Sequence, residues 1–222
     1  MQKELKYIIN QFREDESSLN KIIVSVFVRA NSIQVKKNAL VKSLLISEKS
    51  VLHKTISEIN MPFTFDDVIE AFELSIPNGE KVINGAVYTP SYIKGFIVEH
   101  SLKKIEKPLQ KILAADISCG CGAFLFTFAN KIKAETGKSF SQIFKDNLFG
   151  LDISNSSIER TKILLSLLAI SNREDKPEFE FHLHTGNALS FDWKGTEKKI
   201  KANAGFDLIV GNPPYVRAKN ID

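Results

Sequence analysis

Asn212-Pro213-Pro214-Tyr215 follows directly on an apolar run, Phe206 to Val210, and these residue types in this order suit one task, the holding of a planar amine. An exocyclic amine on a heteroaromatic ring, or a carboxamide nitrogen, is a poor nucleophile because its lone pair is delocalised. Acceptors that draw on its two hydrogens pull the nitrogen towards tetrahedral geometry. The Asn212 side-chain oxygen and the Pro213 carbonyl can be those acceptors, since fixed proline dihedrals turn the backbone carbonyl outward. The Tyr215 ring adds a stacking face. Such stacking is worth roughly 1–3 kcal/mol per base, enough to hold an extruded base and too little to extract one. A strand terminator with an aromatic edge cover is the plainer reading of the same residues; the residues upstream decide between the two.

Upstream lies a glycine-rich turn. The apolar stretch Ile112 to Ala115 leads into Asp116-Ile117-Ser118-Cys119-Gly120-Cys121-Gly122, and Ala123 to Ala129 reads as a buried helix. In the order strand, glycine loop, helix, Gly120 and Gly122 permit close backbone approach to a ligand, and the helix start offers free amide groups. Position 125 is Leu where the third glycine of a dinucleotide fingerprint would fall, so no pyrophosphate cradle is expected. A second strand, Asn147 to Asp152, ends in a carboxylate suited to ribose hydroxyls. A helix over Ser156 to Leu168 presents Ile158, Ile163, Leu164, Leu167 and Leu168 as its apolar face. A third strand, Phe179 to Leu183, alternates Phe179, Phe181 and Leu183 with Glu180, His182 and His184. It runs into Gly186-Asn187-Ala188-Leu189, where Asn187 can pair with a purine edge and Leu189 with Ile153 can sandwich the ring. Four strands thus each leave a ligand-type residue at the carboxyl edge of a parallel sheet, which is where open α/β sheets bind ligands.

The amino-terminal part is a different kind of sequence. Residues 1–76 contain no glycine, and Leu5, Ile8, Ile9 and Phe12 recur at helical spacing. Thr64 is expected to cap a short helix, Phe65 to Leu74, closed by Pro77-Asn78-Gly79. A helical domain over 1–79 and an α/β domain over 80–222 are therefore expected. At 222 residues and 43% hydrophobic, the chain can bury a core for both. Its net charge of +4 neither demands nor excludes nucleic acid. Lys194, Lys198, Lys199 and Lys201 read as a solvated loop. Two cysteines, no signal peptide and no apolar run near the roughly 20 residues that cross a bilayer point to the cytoplasm and away from a membrane. His182 and His184 stand at metal-capable spacing, but two ligands do not close a site, so they read as exposed strand residues and no metal is expected. Cys119 and Cys121 read as small fillers of a tight loop.

Taken together, Asp116-x-x-x-Gly120-x-Gly122, Asp152, Gly186-Asn187-Ala188-Leu189 and Asn212-Pro213-Pro214-Tyr215 resemble the S-adenosylmethionine-dependent adenine-N6 DNA methyltransferases of restriction-modification systems whose cofactor loop precedes the catalytic tetrapeptide. Gly85-Ala86-Val87-Tyr88-Thr89-Pro90 resembles the segment that precedes that loop, with Thr89 capping a helix opened by Pro90 and reaching the cofactor carboxylate. The resemblance covers about residues 80–217. It implies a Rossmann-like methyltransferase sheet, here strands 1–4 of the usual seven, with an amino-terminal helical domain. It further implies that Tyr88, Thr89, Asp116, Ser118, Gly120 and Gly122 serve the methionine end of S-adenosylmethionine, Asp152 its ribose, and Ile153, Asn187, Ala188 and Leu189 its adenine, with Asn212 facing both cofactor and target. Many relatives carry Asp where this chain has Asn187, which keeps an acceptor and loses a charge.

Transfer in such enzymes is direct, from sulfonium to nitrogen, onto an adenine flipped from double-stranded DNA. Because only seven residues follow Tyr215, the expectation is a fragment of a longer enzyme, inactive alone, whose target-recognition region follows or whose sheet a partner chain completes. Two other classes share these residues: a protein-glutamine N5 methyltransferase, whose carboxamide substrate has a similar shape, and a catalytically incomplete cofactor-binding or DNA-associated subunit.

Overall fold

A computed structural model describes residues 3–12, 15–57, 62–76 and 89–213. Its contacts divide the chain into two units, one holding the helices up to Leu74 together with Ile170–Glu178, the other Thr89–Ala169 and the chain from Phe179 onward.

The first unit is helical: α1 (Lys3–Phe12), α2 (Glu16–Ala30), α3 (Ala39–Ser43), α4 (Leu52–Ser57) and α5 (Phe65–Leu74). Asp15 starts α2 by accepting the Ser18 N–H, and Leu19, Ile22, Ile23, Val26 and Phe27 turn one continuous apolar stripe inward. The Phe27 ring packs 4.6 Å from that of Phe65 and 6.4 Å from that of Phe63. As the sequence predicts, Thr64 caps α5, in a full capping box with Asp67. Asp175 ties 170–178 to these helices by accepting the N–H groups of Lys36, Lys37 and Asn38 at 2.6, 2.9 and 2.9 Å.

The second unit is α/β. Its elements run α6 (Ser91–Leu102), a 3-10 turn (Leu109–Lys111), β1 (Ala114–Asp116), α7 (Ala123–Thr136), α8 (Phe140–Asp146), β2 (Leu148–Asp152), α9 (Asn155–Ser171), β3 (His182–Thr185), α10 (Trp193–Thr196), α11 (Lys198–Ala202) and β4 (Leu208–Ile209). All four strands are parallel, in the order β3-β2-β1-β4. Asp207 sets the entry of β4: its carboxylate accepts the Leu113 N–H and the Lys107 ammonium, each at 2.8 Å, so β4 starts in register with β1. The core of this sheet joins Leu113, Ala115, Phe149 and Ile200, with Ile117, Trp193 and Phe206 packed against it.

Three sequence readings change here. The third strand begins at His182, three residues later than expected, because Phe179 and Phe181 leave the ladder to pack on the Phe144 ring of α8 at 5.7 and 5.2 Å. The lysine-rich stretch is helical rather than a solvated loop. Asp192 caps α10, Ile200 is buried, and Lys199 grips Asp146 at 3.1 Å and the Lys145 carbonyl at 2.6 Å. His182 and His184 are not exposed strand residues. Parallel sheets are covered on both faces, and both imidazoles meet the buried Glu197 carboxylate, at 3.0 and 2.6 Å from its Oε1. The α8 helix was not read in advance, although Ser139 and Gln142 spell its capping box.

Candidate cofactor and amine-acceptor site

The strand order places the carboxyl ends of β2, β1 and β4 side by side, and each ends in a residue singled out above. Asp116 closes β1, aligned with Gly150 of β2, and Asp152 closes β2, aligned with Thr185 of β3. Asn212 leaves β4, whose Ile209 is aligned with Ala115.

The glycine loop is built between the first two of these ends. Gly120 and Gly122 adopt φ of 51° and 87°, left-handed values that cost glycine little and other residues strain. The Gly120 N–H donates to Asp152 Oδ2 at 2.8 Å, and the Cys119 N–H to the Leu151 carbonyl at 2.9 Å, so the loop is sewn to the end of β2. From the other side Thr161 of α9 donates its hydroxyl to the Gly120 carbonyl at 3.0 Å. A Cβ on Gly122 would lie 2.8 Å from the Thr161 methyl group, so only glycine fits there. Thr161 is buried and escaped the sequence reading, since a threonine inside an amphipathic helix carries no local sign of a contact 41 residues away.

Both carboxylates are shielded. Asp116 is 1% exposed, accepts the Ser118 N–H at 3.0 Å, and burial raises its pKa to about 7. Burial also raises Asp152, opposed by the N–H groups of Ser154 and Gly120. The Cys119 thiol is pushed well up by burial and by the two neighbouring carboxylates, so it stays protonated and is no nucleophile; both loop cysteines are buried fillers as expected.

At the third strand end, Gly211 lies against Asp116. A Cβ built there would stand 2.5 Å from Asp116 Oδ1 and 3.3 Å from Ser118 Oγ. Gly211 also escaped the sequence reading. The next residue, Asn212, donates its side-chain N–H to Thr89 Oγ1 at 3.1 Å. The expected capping role of Thr89 is thereby corrected: α6 begins at Ser91, Pro90 holds the cap position, and no side chain caps it. A proline cannot rotate its φ to bring the preceding hydroxyl over the helix end, and Thr89 turns to Asn212 instead.

The remaining expected contacts lie along the β2 and β3 ends. Ile153 and Leu189 are 62% and 96% exposed, large apolar groups at the rim of the site. Asn187 is exposed, with Oδ1 accepting the Leu189 N–H at 2.9 Å, so its acceptor is already engaged in its own turn. Ala188 is exposed beside it. Tyr88, Pro214 and Tyr215 lie outside the described residues. Among the described residues no cluster of His, Cys, Asp or Glu is arranged to hold a metal ion, and no helix is long and apolar enough to cross a membrane.

The residues fit S-adenosylmethionine chemically. Two shielded carboxylates gain from the positive charge and hydroxyl donors that this cofactor carries. The loop offers close main-chain approach, and Ile153 and Leu189 offer apolar cover for a ring.

Comparison with known proteins agrees. Residues 146–222 match the family model described as Eco57I restriction-modification methylase. No curated protein sequence matches the chain. Among solved structures, the type IIG restriction endonuclease BpuSI is similar at a TM-score of 0.62 and 15% identity, over 97% of this chain and 27% of that one. The DrdV–DNA complex is similar at 0.54 and 14%, over 97% of this chain and 30% of that one. The chain therefore spans under a third of the length of either. In sequence over 146–222 and in fold, this protein is similar to the methylases of restriction-modification systems, and S-adenosylmethionine is the cofactor that the likeness implies.

Proposed function

We propose that this chain is the cofactor-binding and amine-accepting part of an enzyme that methylates the N6 amine of adenine in double-stranded DNA, in a restriction-modification or phage-defence system. The observation that carries the proposal is the adjacency of β1 and β4: Gly211 touches Asp116, so the asparagine that accepts the amine stands one residue from the carboxylate of the cofactor loop. The sulfonium of bound S-adenosylmethionine supplies an activated methyl group. Asp116, Ser118 and the Gly120–Gly122 main chain hold the methionine end, Asp152 the ribose, and Ile153, Asn187, Ala188 and Leu189 the purine. Asn212 Oδ1 and the Pro213 carbonyl draw on the two amine hydrogens and bring the nitrogen lone pair out of conjugation, while Pro214 and Tyr215 shape the stacking face for a base swung out of the duplex.

Choice of DNA sequence comes from a further region or a partner chain. Two domains, helical over 1–79 and methyltransferase from 80 onward, remain the proposed organisation, with the enzyme working in the cytoplasm. The test is transfer of a radiolabelled methyl group by the intact protein to duplex DNA, with the product digested to nucleosides. N6-methyladenine is the expected product. Label on a glutamine-bearing protein, on cytosine, or on neither substrate defeats the proposal. Asn212→Ala is expected to lower the rate at least about a hundredfold, the usual size of losing one well-placed catalytic hydrogen bond.

A further inference from the structure

An asparagine that must accept hydrogen bonds from an amine has a problem of its own: its amide turns about χ2 and can present two donors where one acceptor is wanted. The amine hydrogens would then face N–H groups, and the pull on the nitrogen would be lost. The main chain alone does not decide which way the amide turns. Something must hold Nδ2 away from the target.

We infer that Thr89 does this, as a positioning residue that orients the Asn212 amide; the inference rests on the amine-accepting role proposed above. Its hydroxyl accepts from Nδ2 at 3.1 Å across 123 residues of sequence, and both side chains are partly buried. Nδ2 and Oδ1 share one planar carbon, so fixing the first fixes the direction of the second. Two anchors make the arrangement stiff. Pro90 restricts Thr89 to an extended backbone and starts α6 at Ser91, which keeps the hydroxyl out of a helix cap. Gly211, pressed against Asp116 and Ser118, holds the Asn212 main chain from the other side. A threonine at this place thus acts on the target amine through Asn212.

The test compares Thr89→Val, which keeps shape and removes the hydroxyl, with Thr89→Ser, which keeps the hydroxyl. In the intact protein, Thr89→Val is expected to lower the single-turnover methylation rate at saturating cofactor roughly tenfold or more, the scale of a misaligned reacting group, while the cofactor Kd stays within about twofold. Thr89→Ser is expected to restore most of that rate. A readout free of catalysis runs beside it. In protein labelled with 15N-asparagine, the side-chain amide signal assigned by its loss in Asn212→Ala should shift, and its hydrogens should exchange faster with water, in Thr89→Val and not in Thr89→Ser. An unchanged Asn212 signal in Thr89→Val overturns the inference. So does a Kd raised about tenfold with an unchanged rate at saturation, which makes Thr89 a cofactor ligand. If wild-type protein methylates no DNA, the functional proposal fails, and the amide signal still decides whether Thr89 holds Asn212.

Discussion

Gly211 and Asp116 touch: a methyl-sized group on Gly211 would come within 2.5 Å of the Asp116 carboxylate oxygen. Asp116 has no room to yield, being 1% exposed and already bound to the Ser118 N–H. The exit of β4 is therefore seated on the end of β1, and the loop that would hold the cofactor and the turn that would hold the amine share a wall.

Gly211→Ala is expected to cost about 1–3 kcal/mol of stability, the usual size of overpacking in a filled site. It is also expected to weaken cofactor binding, since Asp116 must shift. Urea unfolding of the chain and cofactor titration give the two values. An alanine variant equal to wild type in both would show that the contact relaxes freely.

The buried Asp116 carboxyl makes the fold sensitive to pH in a defined direction. Its pKa is about 7 in the fold against an ordinary value of 3.8, so the folded chain binds the extra proton between those values. Stability therefore falls as pH rises from about 4 to about 7, by an amount on the order of a few kcal/mol, and the full cost stands above that window. Asp116→Asn should flatten the curve when urea midpoints are measured across it. A cofactor with positive charge favours the ionised form, so its affinity should climb between about pH 6 and pH 8 in wild type and stay level in Asp116→Asn. A level profile in wild type would remove Asp116 from the cofactor site.

Thr161→Val keeps the volume beside Gly122 and removes the hydroxyl that holds the Gly120 carbonyl. A loss of about 0.5–1.5 kcal/mol is expected from the missing hydrogen bond. A several-fold rise in cofactor Kd should accompany it as the glycine loop loosens. Calorimetric titration of the chain reads the second effect, and an unchanged Kd would mean that Asp152 holds the loop alone.

Asp152→Ala removes both the acceptor for the Gly120 and Ser154 N–H groups and the proposed acceptor of the ribose hydroxyls. Cofactor Kd is expected to rise about tenfold or more, since the site loses at least one charge-assisted hydrogen bond. Asp152→Asn, which keeps one acceptor oxygen, should fall between the two. Equal affinity for wild type and Asp152→Ala would move the ribose elsewhere.

Glu197→Gln tests the covering of β3. The buried carboxylate takes hydrogen bonds from both His182 and His184, and an amide offers a donor in place of one acceptor oxygen. A loss of about 1–3 kcal/mol is expected, the cost of leaving a buried partner unmatched. Urea unfolding monitored by fluorescence of Trp193, whose ring lies 5.8 Å from that of His184, reports it.

What the sequence by itself determined is the part that short windows encode. Apolar runs ending in Asp116 and Asp152 gave strands with carboxylates at their tips, Gly120 and Gly122 gave the turn between strand and helix, and Thr64 with Asp67 gave the start of α5. These depend on alternation, glycine freedom and capping, which act over a few residues. The family motifs were legible for the same reason, since each is a contiguous stretch. Only the tertiary structure decided that β4 lies beside β1, and with it that Gly211 meets Asp116, that Thr89 holds Asn212 instead of capping α6, and that Thr161 closes the glycine loop. The burial of His182 and His184 under Glu197, and the capture of Phe179 and Phe181 by Phe144, belong to the same class. Such contacts join residues tens to more than a hundred positions apart, and no local propensity records them. They follow from the order in which the strands pair and from which side chains the covering helices bring down on the sheet.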